Sequence, residues 1–447
     1  MSMALDQLRA AAAIRGHPRA TPRAIANFRD AHLRRLVAHA YRNVPYYRRL
    51  YDEHGVRPSA IRGTADLPLL PPVSKTHFRA TPEIDRVAAG LDPEQLISVA
   101  STGSSGYPSM VRRSWLEQNV LHLVRMRARQ AYGMRRSDRA FHILLPKHVH
   151  RLDNKLIGRT LEALRLRGDE RRVSIHMDPM EIAALLREYR PAMLSGYPNM
   201  LARVSALLEN ERGSLGIRMA VTGAEALTPD LRRKIEGRLG VPVRDQYGST
   251  ECNLMAWECQ EGGPLHVCDD SVALEVVDET DHPVASGQRG EVFVTALHTF
   301  TMPLIRFRIG DLAEQGDALC GCGAPYSTIR GVQGRMLDLF PLPDGRVIHP
   351  YLMSEALIMN DPDWIEGFQL TQERPDRITM QIVPRESPSD ARLDALRAAA
   401  AALLGAGVDF ELSIVASIAS DPSGKFRFAR SLVTSSYDAR TDMAEQP

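Results

Sequence analysis

From residue 96 onward, apolar runs of strand length alternate with amphipathic helical stretches, and few folds accommodate that alternation. The runs "LISVAS", "RAFHILL", "AMLSGY", "IRMAVTG" and "VPVRDQYG" are separated by segments such as "PNMLARVSALLENE" and "PDLRRKIEGRL". Strands that recur between helices form a wound α/β layer, with loops at the strand ends open to ligands. After residue 270 the pattern turns β-rich, through "VALEVVD", "GEVFVTAL" and "PLIRFRIGDLA". Past Asp338 it reads β, helix, β, β, helix, β, through "EGFQLTQ", "ITMQIVP", "DARLDALRAAAAALLGAG" and "FELSIVASI". The expected fold class is α/β: a large N-terminal wound α/β domain with a β-rich subdomain over 1–338, and a small C-terminal α+β domain over 339–447. The hinge is expected at "GRMLDLF". Residues 1 to about 95 read as helices and loops, "FRDAHLRRLVAHAYRNV" ending near Pro45.

Charge excludes some classes of partner. The 56 basic and 54 acidic residues of this 447-residue chain are well mixed, which argues against a dedicated surface for nucleic acid or anionic membrane. The N-terminus lacks the apolar core of a secretory signal, and no stretch approaches the length of a membrane span, so a cytoplasmic protein is expected. All five cysteines fall between Cys252 and Cys322, which suggests metal or redox chemistry and not a disulfide framework.

Five short motifs could carry chemistry, and each has a plainer reading. "STGSSGYP", Ser101 to Pro108, follows a strand; its small hydroxyl residues and glycines let N–H and hydroxyl groups converge on phosphate, or it is a flexible connection. In "QYGSTE", Gln246 to Glu251, an aromatic could stack on a purine, hydroxyls could bind phosphate, and the carboxylate could hold Mg²⁺. The alternative is a strand-to-loop transition with an exposed acid. "RFRIGD", Arg306 to Asp311, offers a carboxylate suited to ribose hydroxyls, or else a surface ion pair. "GRMLD", Gly334 to Asp338, could be a charged linker, and Lys425 in "PSGKFRFAR" could be a solvated lysine.

Taken in order, the five motifs resemble the acyl-adenylate-forming superfamily, most closely its phenylacetate-CoA ligase-like, AMP-forming branch. The resemblance spans nearly the whole chain and includes "NVPYYRRLYDEHG", "DLPLLPPVSK" and "VTGAEALTPDLR". It implies that Ser101, Thr102, Gly103, Ser104, Ser105 and Gly106 hold the pyrophosphate end of ATP, that Tyr247 and Gly248 flank adenine, that Thr250 contacts the α-phosphate and that Glu251 binds Mg²⁺. Asp311 would take the ribose hydroxyls, with Arg335 nearby; Asp338 would mark a hinge about which the small domain rotates. Lys425, with Thr250 and Glu251, would be catalytic, and would enter the site only for the first half-reaction. Gly223, Ala224, Glu225 and Gln246, together with the "SGYP" loop at Ser195 to Pro198, resemble the parts that line the bound acid. Tyr197 could wall the acyl chain or pack in the core, and Lys147, His148 and His150 could greet a substrate or be incidental.

The implied activity is ATP-dependent activation of an aryl or related small carboxylic acid to an acyl-adenylate, followed by transfer to coenzyme A. An amine, another nitrogen nucleophile or a carrier-protein thiol is the alternative acceptor; a non-catalytic nucleotide-binding relative is the third reading. A homodimer is expected from base rate alone. Two departures stand out: no lysine follows the proline of "GYPSM", and Ile309 stands where the family often has Thr, so altered affinity is expected. Cys259, His266, Cys320 and Cys322 make a closed tetrahedral Zn²⁺ set, with free buried cysteines as the alternative. The branch includes examples with a comparable set, while Cys252 and Cys268 are expected to be packing residues.

Overall fold

Several helices in the computed structural model, which describes residues 3–100, 110–135, 137–146, 169–335, 338–358, 361, 363–419, 421 and 426–433, begin at residues able to satisfy their first N–H groups. Thr21 accepts from Ala24 N (3.2 Å) ahead of helix Pro22–Asn43, which stops before Pro45. Ser114 and Glu117 form a reciprocal capping box ahead of Trp115–Ala131, whose Val120, Leu121, Val124 and Ala128 are buried at helical spacing. Thr228 caps helix Pro229–Leu239, and Gly240 ends it in the left-handed conformation that a glycine adopts without strain. Among the described residues no helix is long and apolar enough to cross a membrane.

Contact density divides the chain into two units, one drawn from 1–133 and 246–332, the other from 134–245 and 333–440. In the first unit the strands Val272–Val277, Arg289–Ala296 and Phe307–Gln315 run antiparallel in succession. Beyond Thr328–Arg335 come Leu265–Val267, Asn253–Glu258 and Val243–Ser249. Buried charges knit this unit together: Arg127 and His17 both engage the Asp270 carboxylate, the latter at 2.6 Å. Charges so deeply buried persist only when paired.

The second unit holds the wound layer. Strands Met219–Gly223, Met193–Gly196, Ala140–Leu144 and Glu170–Ser174 lie side by side and parallel. Helices Pro179–Tyr189, Pro198–Leu207 and Pro229–Leu239 pack on them around Phe141, Leu194, Leu201 and Ile235. The C-terminal part has its own core around Trp364, Ile378 and Met380. There a short hairpin, Phe340–Pro341 with Val347–Ile348, precedes helix Pro350–Ile358. The antiparallel pair Ile365–Arg374 and Arg377–Pro384 follows, then helix Asp390–Leu404 and strand Asp409–Ile414. The expected strand and helix order is present, with one further short strand, Ala429–Ser431, added parallel to Ile365–Arg374. That strand is too short for its alternation to register in sequence.

Candidate active site and metal centre

In the first unit, two of the motifs meet. Tyr247 is buried in strand Val243–Ser249, and its phenol donates to Asp311 Oδ2 at 2.8 Å. Asp311 follows Gly310, whose φ of +78° is the left-handed turn that aims the carboxylate. Arg306, the first charge of "RFRIGD", does not pair with Asp311: it is buried and meets Glu275 at 3.2 Å and the Leu70 carbonyl at 2.8 Å. Ile309 is buried too, and its carbonyl accepts from Lys75 Nζ at 2.6 Å, so the backbone at this departure is tied to the "VSK" segment. Val73 reinforces the tie, exchanging 2.9 Å hydrogen bonds with Arg306 and Arg308.

The "QYGSTE" loop is fixed from beneath. Buried Arg113 donates to the carbonyl of Thr250 at 2.9 Å and to that of Glu251. Gly248 has a structural reason of its own, since a Cβ there would sit 2.4 Å from the Asn253 carbonyl oxygen across the hairpin. Gln246 pairs with Trp257 in the same hairpin. Glu251 offers a hard oxygen on a loop whose backbone is held, which suits Mg²⁺, a cation that keeps several waters and takes few protein ligands. Ser101 to Gly106, Lys147, His148, His150 and Lys425 lie outside the described residues. Arg335 closes strand Thr328–Arg335, and its side chain likewise lies outside them.

In the second unit the strand Met219–Gly223 ends at Gly223, and Ala224 follows at φ +67°, strained for a residue with a Cβ. This turn presents Glu225, whose Oε1 accepts from Phe426 N at 2.7 Å and whose Oε2 accepts from Asn199 Nδ2 at 3.2 Å. Asp338 is ion-paired with Arg427, and the Arg427 carbonyl accepts from Gln369 Nε2 at 2.7 Å. Tyr197 is a core residue, packed with Leu194, Leu201 and Met200, so of its two readings the packing one describes its surroundings. Nearby polar groups pair across neighbouring strands, His142 Nδ1 with Ser195 Oγ at 2.6 Å and Thr222 Oγ1 with Asp245 at 2.7 Å.

The cysteine and histidine set converges. Cys259 and His266 are delivered by a hairpin that turns at Gly262 and Gly263, and Cys320 and Cys322 by the turn ahead of Thr328–Arg335. The four donor atoms lie within 4.8 Å of one another. Cys320 Sγ is 3.9 Å from Cys259 Sγ, and Cys322 Sγ is 3.4 Å from His266 Nε2. A tetrahedral ion with Zn–S near 2.3 Å and Zn–N near 2.0 Å requires spacings of about 3.8 Å and about 3.5 Å, so the residues fit Zn²⁺. Burial holds His266 below its usual range, in the neutral form that ligates, and pushes the Cys259 thiol up to about 12. A bound cation would reverse the latter by stabilising the thiolate. Cys252 and Cys268 are fully buried away from this cluster, each thiol pushed up to about 12 by burial.

Sequence reasoning missed Arg113 altogether and had Lys75 and Arg427 only as unassigned members of quoted segments. Arg113 stands at the end of the short strand Met110–Arg113, where a charged residue reads as solvated, and only its tertiary partners reveal otherwise.

The AMP-binding enzyme family matches residues 86–302, and the CapK C-terminal domain family matches 341–431. A phenylacetate-coenzyme A ligase from Thermus thermophilus is 31% identical over 357 residues, 77% of each chain. Its counterpart from Escherichia coli is 29% identical, over 73% of this chain and 74% of the relative. Among solved structures, 2-hydroxyisobutyryl-CoA ligase in complex with 2-HIB-AMP superposes with a TM-score of 0.74 at 22% identity, covering 93% of this chain and 91% of that one.

Proposed function

The chain belongs to the phenylacetate-CoA ligase-like branch of the acyl-adenylate-forming enzymes, and from that membership we infer that it is an ATP-dependent, AMP-forming acid–CoA ligase. In the first half-reaction an oxygen of the substrate carboxylate attacks the α-phosphorus of ATP, pyrophosphate leaves and an acyl-adenylate forms. In the second, the thiol sulfur of coenzyme A attacks the acyl carbon and AMP leaves. The acid is an aryl or related small carboxylic acid.

The observation that carries the residue assignment is the Tyr247–Asp311 hydrogen bond, which joins two separate motifs around one nucleotide-sized role. Asp311 accepts from the ribose hydroxyls, Tyr247 and Gly248 flank the adenine, and Arg335 lies close to ribose or phosphate. Gln246 and the turn Gly223, Ala224 and Glu225 face the acid. Ser101 to Gly106 hold the pyrophosphate end. Thr250 contacts the α-phosphate, on a backbone that Arg113 keeps rigid. Mg²⁺ held by Glu251 would supply positive charge against the phosphates. Lys425 lowers the repulsion between carboxylate and α-phosphate as they approach, a preorganised charge at the place where charge develops. The 339–447 segment then rotates about Asp338, withdrawing Lys425 and opening a path for the thiol. Cys259, His266, Cys320 and Cys322 hold Zn²⁺ in a structural role, with no position left open for water. The enzyme works in the cytoplasm, where both cosubstrates are found.

The test is pyrophosphate release from a panel of aryl and aliphatic acids, with and without coenzyme A, for wild type and Lys425→Ala. Acid-dependent release that collapses in the variant, with acyl-CoA formed by the wild type, is expected. Release without acyl-CoA would move the acceptor to an amine or carrier thiol, and absence of release with every acid would refute the ligase reading.

A further inference from the structure

We propose that the stretch Glu225–Leu239 is a docking pad that positions the C-terminal segment for adenylation, with the Arg238–Glu366 ion pair as its releasable latch. The inference rests on the ligase reading above and, Glu225 apart, is built on residues that the reading does not use. Helix Pro229–Leu239 has two working faces. Leu231, Ile235 and Leu239 bury into the core of the wound layer. Asp230, Lys234 and Arg238 are spaced four apart and therefore share one stripe, from which Lys234 and Arg238 reach the C-terminal segment and Asp230 pairs with Lys234.

Each charge on that stripe meets a partner. Lys234 Nζ donates to the carbonyls of Ile365 and Glu366, the latter at 3.0 Å, and pairs with Asp230 at 2.8 Å. Arg238 Nη2 reaches Glu366 Oε2 at 2.8 Å while its Nη1 donates to the Ala202 carbonyl at 2.9 Å. Arg385 approaches the same Glu366 oxygen at 3.2 Å. Asp230, Lys234 and Arg238 are all buried, and burial pulls the Lys234 ammonium below its usual range even though Asp230 opposes the shift.

A permanent contact would be more stable if it were apolar, because desolvating ions offsets much of their attraction. A contact that must open gains from charges: on release each group recovers its hydration, and no apolar face is left in water. Apolar burial on one side of the helix and ionic burial on the other thus separate the fixed contact from the one built to part.

Glu225 supplies the register. It binds the backbone N–H of Phe426, the residue immediately after Lys425, while Gln369 and Asp338 hold Arg427 from within the C-terminal segment. Docking the pad therefore fixes the chain beside the lysine, and releasing it frees that chain.

The test uses the full-length protein carrying Glu366→Gln, which keeps the shape and removes the charge, with Arg238→Lys as a second variant that keeps the charge and loses the fork. In hydrogen exchange read by mass spectrometry, the peptide containing Phe426 should exchange about fivefold faster in either variant at low salt. The peptide covering Thr379–Ile382, inside the C-terminal sheet, should not change. High salt should bring the wild type toward the variants. In parallel, acyl-adenylate formation should fall about fivefold, whereas thioester formation from supplied acyl-adenylate and coenzyme A should hold or rise. Unaltered exchange at Phe426, or an equal loss in both half-reactions, would overturn the proposal. If the wild type forms no adenylate with any acid, the ligase reading fails, and exchange at Phe426 still decides whether the pad docks.

Discussion

Replacing Tyr247 with Phe isolates one hydrogen bond in the nucleotide-binding arrangement. The phenylalanine keeps the ring that flanks adenine and deletes only the hydroxyl that donates to Asp311 Oδ2 at 2.8 Å. Hydrogen bonds to a charged acceptor contribute about 1.5–3 kcal/mol, and those from a hydroxyl to a carboxylate are strongest near 2.5–2.7 Å. At its longer separation, and with Asp311 partly open to water, this bond belongs at the low end, about 1.5 kcal/mol, or roughly tenfold in an equilibrium. Without the phenol, the Asp311 carboxylate loses one group that orients it before the ribose hydroxyls bind. The cost should therefore appear in nucleotide binding and not in the chemical step. Initial rates of pyrophosphate release at saturating acid should give an ATP KM raised about tenfold, with kcat unchanged within about twofold. Asp311→Asn should raise the ATP KM further, because the ribose hydroxyls then lose a charged acceptor. An unchanged ATP KM in Tyr247→Phe, or a loss confined to kcat, would refute the assignment of this pair to ribose.

Two other expectations are open to direct measurement. Metal analysis of the purified protein should find about one zinc per chain, and Cys322→Ser should lower both the occupancy and the thermal midpoint; metal-free protein with an unaltered midpoint would leave Cys259, His266, Cys320 and Cys322 as packed thiols and imidazole. His298 should make the first unit sensitive to acid. Burial, reinforced by neighbouring His32, pushes it from 6.5 down to about 4, even though its Nε2 donates to the Asp270 carbonyl at 2.7 Å. The unfolded chain therefore takes up this proton first as pH falls, so the stability is present above about pH 6.5 and is lost on the way to about pH 4. Between about pH 7.5 and about pH 5 the loss amounts to about 2 kcal/mol. Denaturant titrations at the two pH values should show it in wild type and not in His298→Gln, and equal pH slopes in the two proteins would contradict it.

What could be read from the chain was whatever periodicity and residue type determine locally. The alternation beyond residue 96 reports strands and helices because burial on one face imposes it. Cys259, His266, Cys320 and Cys322 could be grouped before any geometry was known, since few purposes other than a metal require three thiols and an imidazole in short loops. Buried charge was opaque. Arg113, Lys234 and Arg238 look solvated in sequence, and only partners far along the chain, such as Glu251 or Glu366, make their burial tolerable. Gly248 was legible as a glycine but not for the reason the fold gives, a carbonyl 2.4 Å from where a Cβ would stand. The hydrogen bond from Phe426 to Glu225 joins positions that no local pattern relates.

The discontinuity of both units bears on how such a chain is made. Residues up to 133 leave the ribosome first, yet the strands that complete their unit begin only at Gln246, after the whole first portion of the other unit has emerged. In that interval the apolar face of Trp115–Ala131 has no finished core to enter. Long-range closure of this kind slows folding and lengthens the time in which such a face can aggregate. Residues 134–245 in turn wait for 333–440, so a chain released early, near Asp338, would leave Lys234 and Arg238 without Ile365 and Glu366 to receive them. Recombinant fragments of this protein should therefore be cut by unit, in pieces, and not by position along the chain.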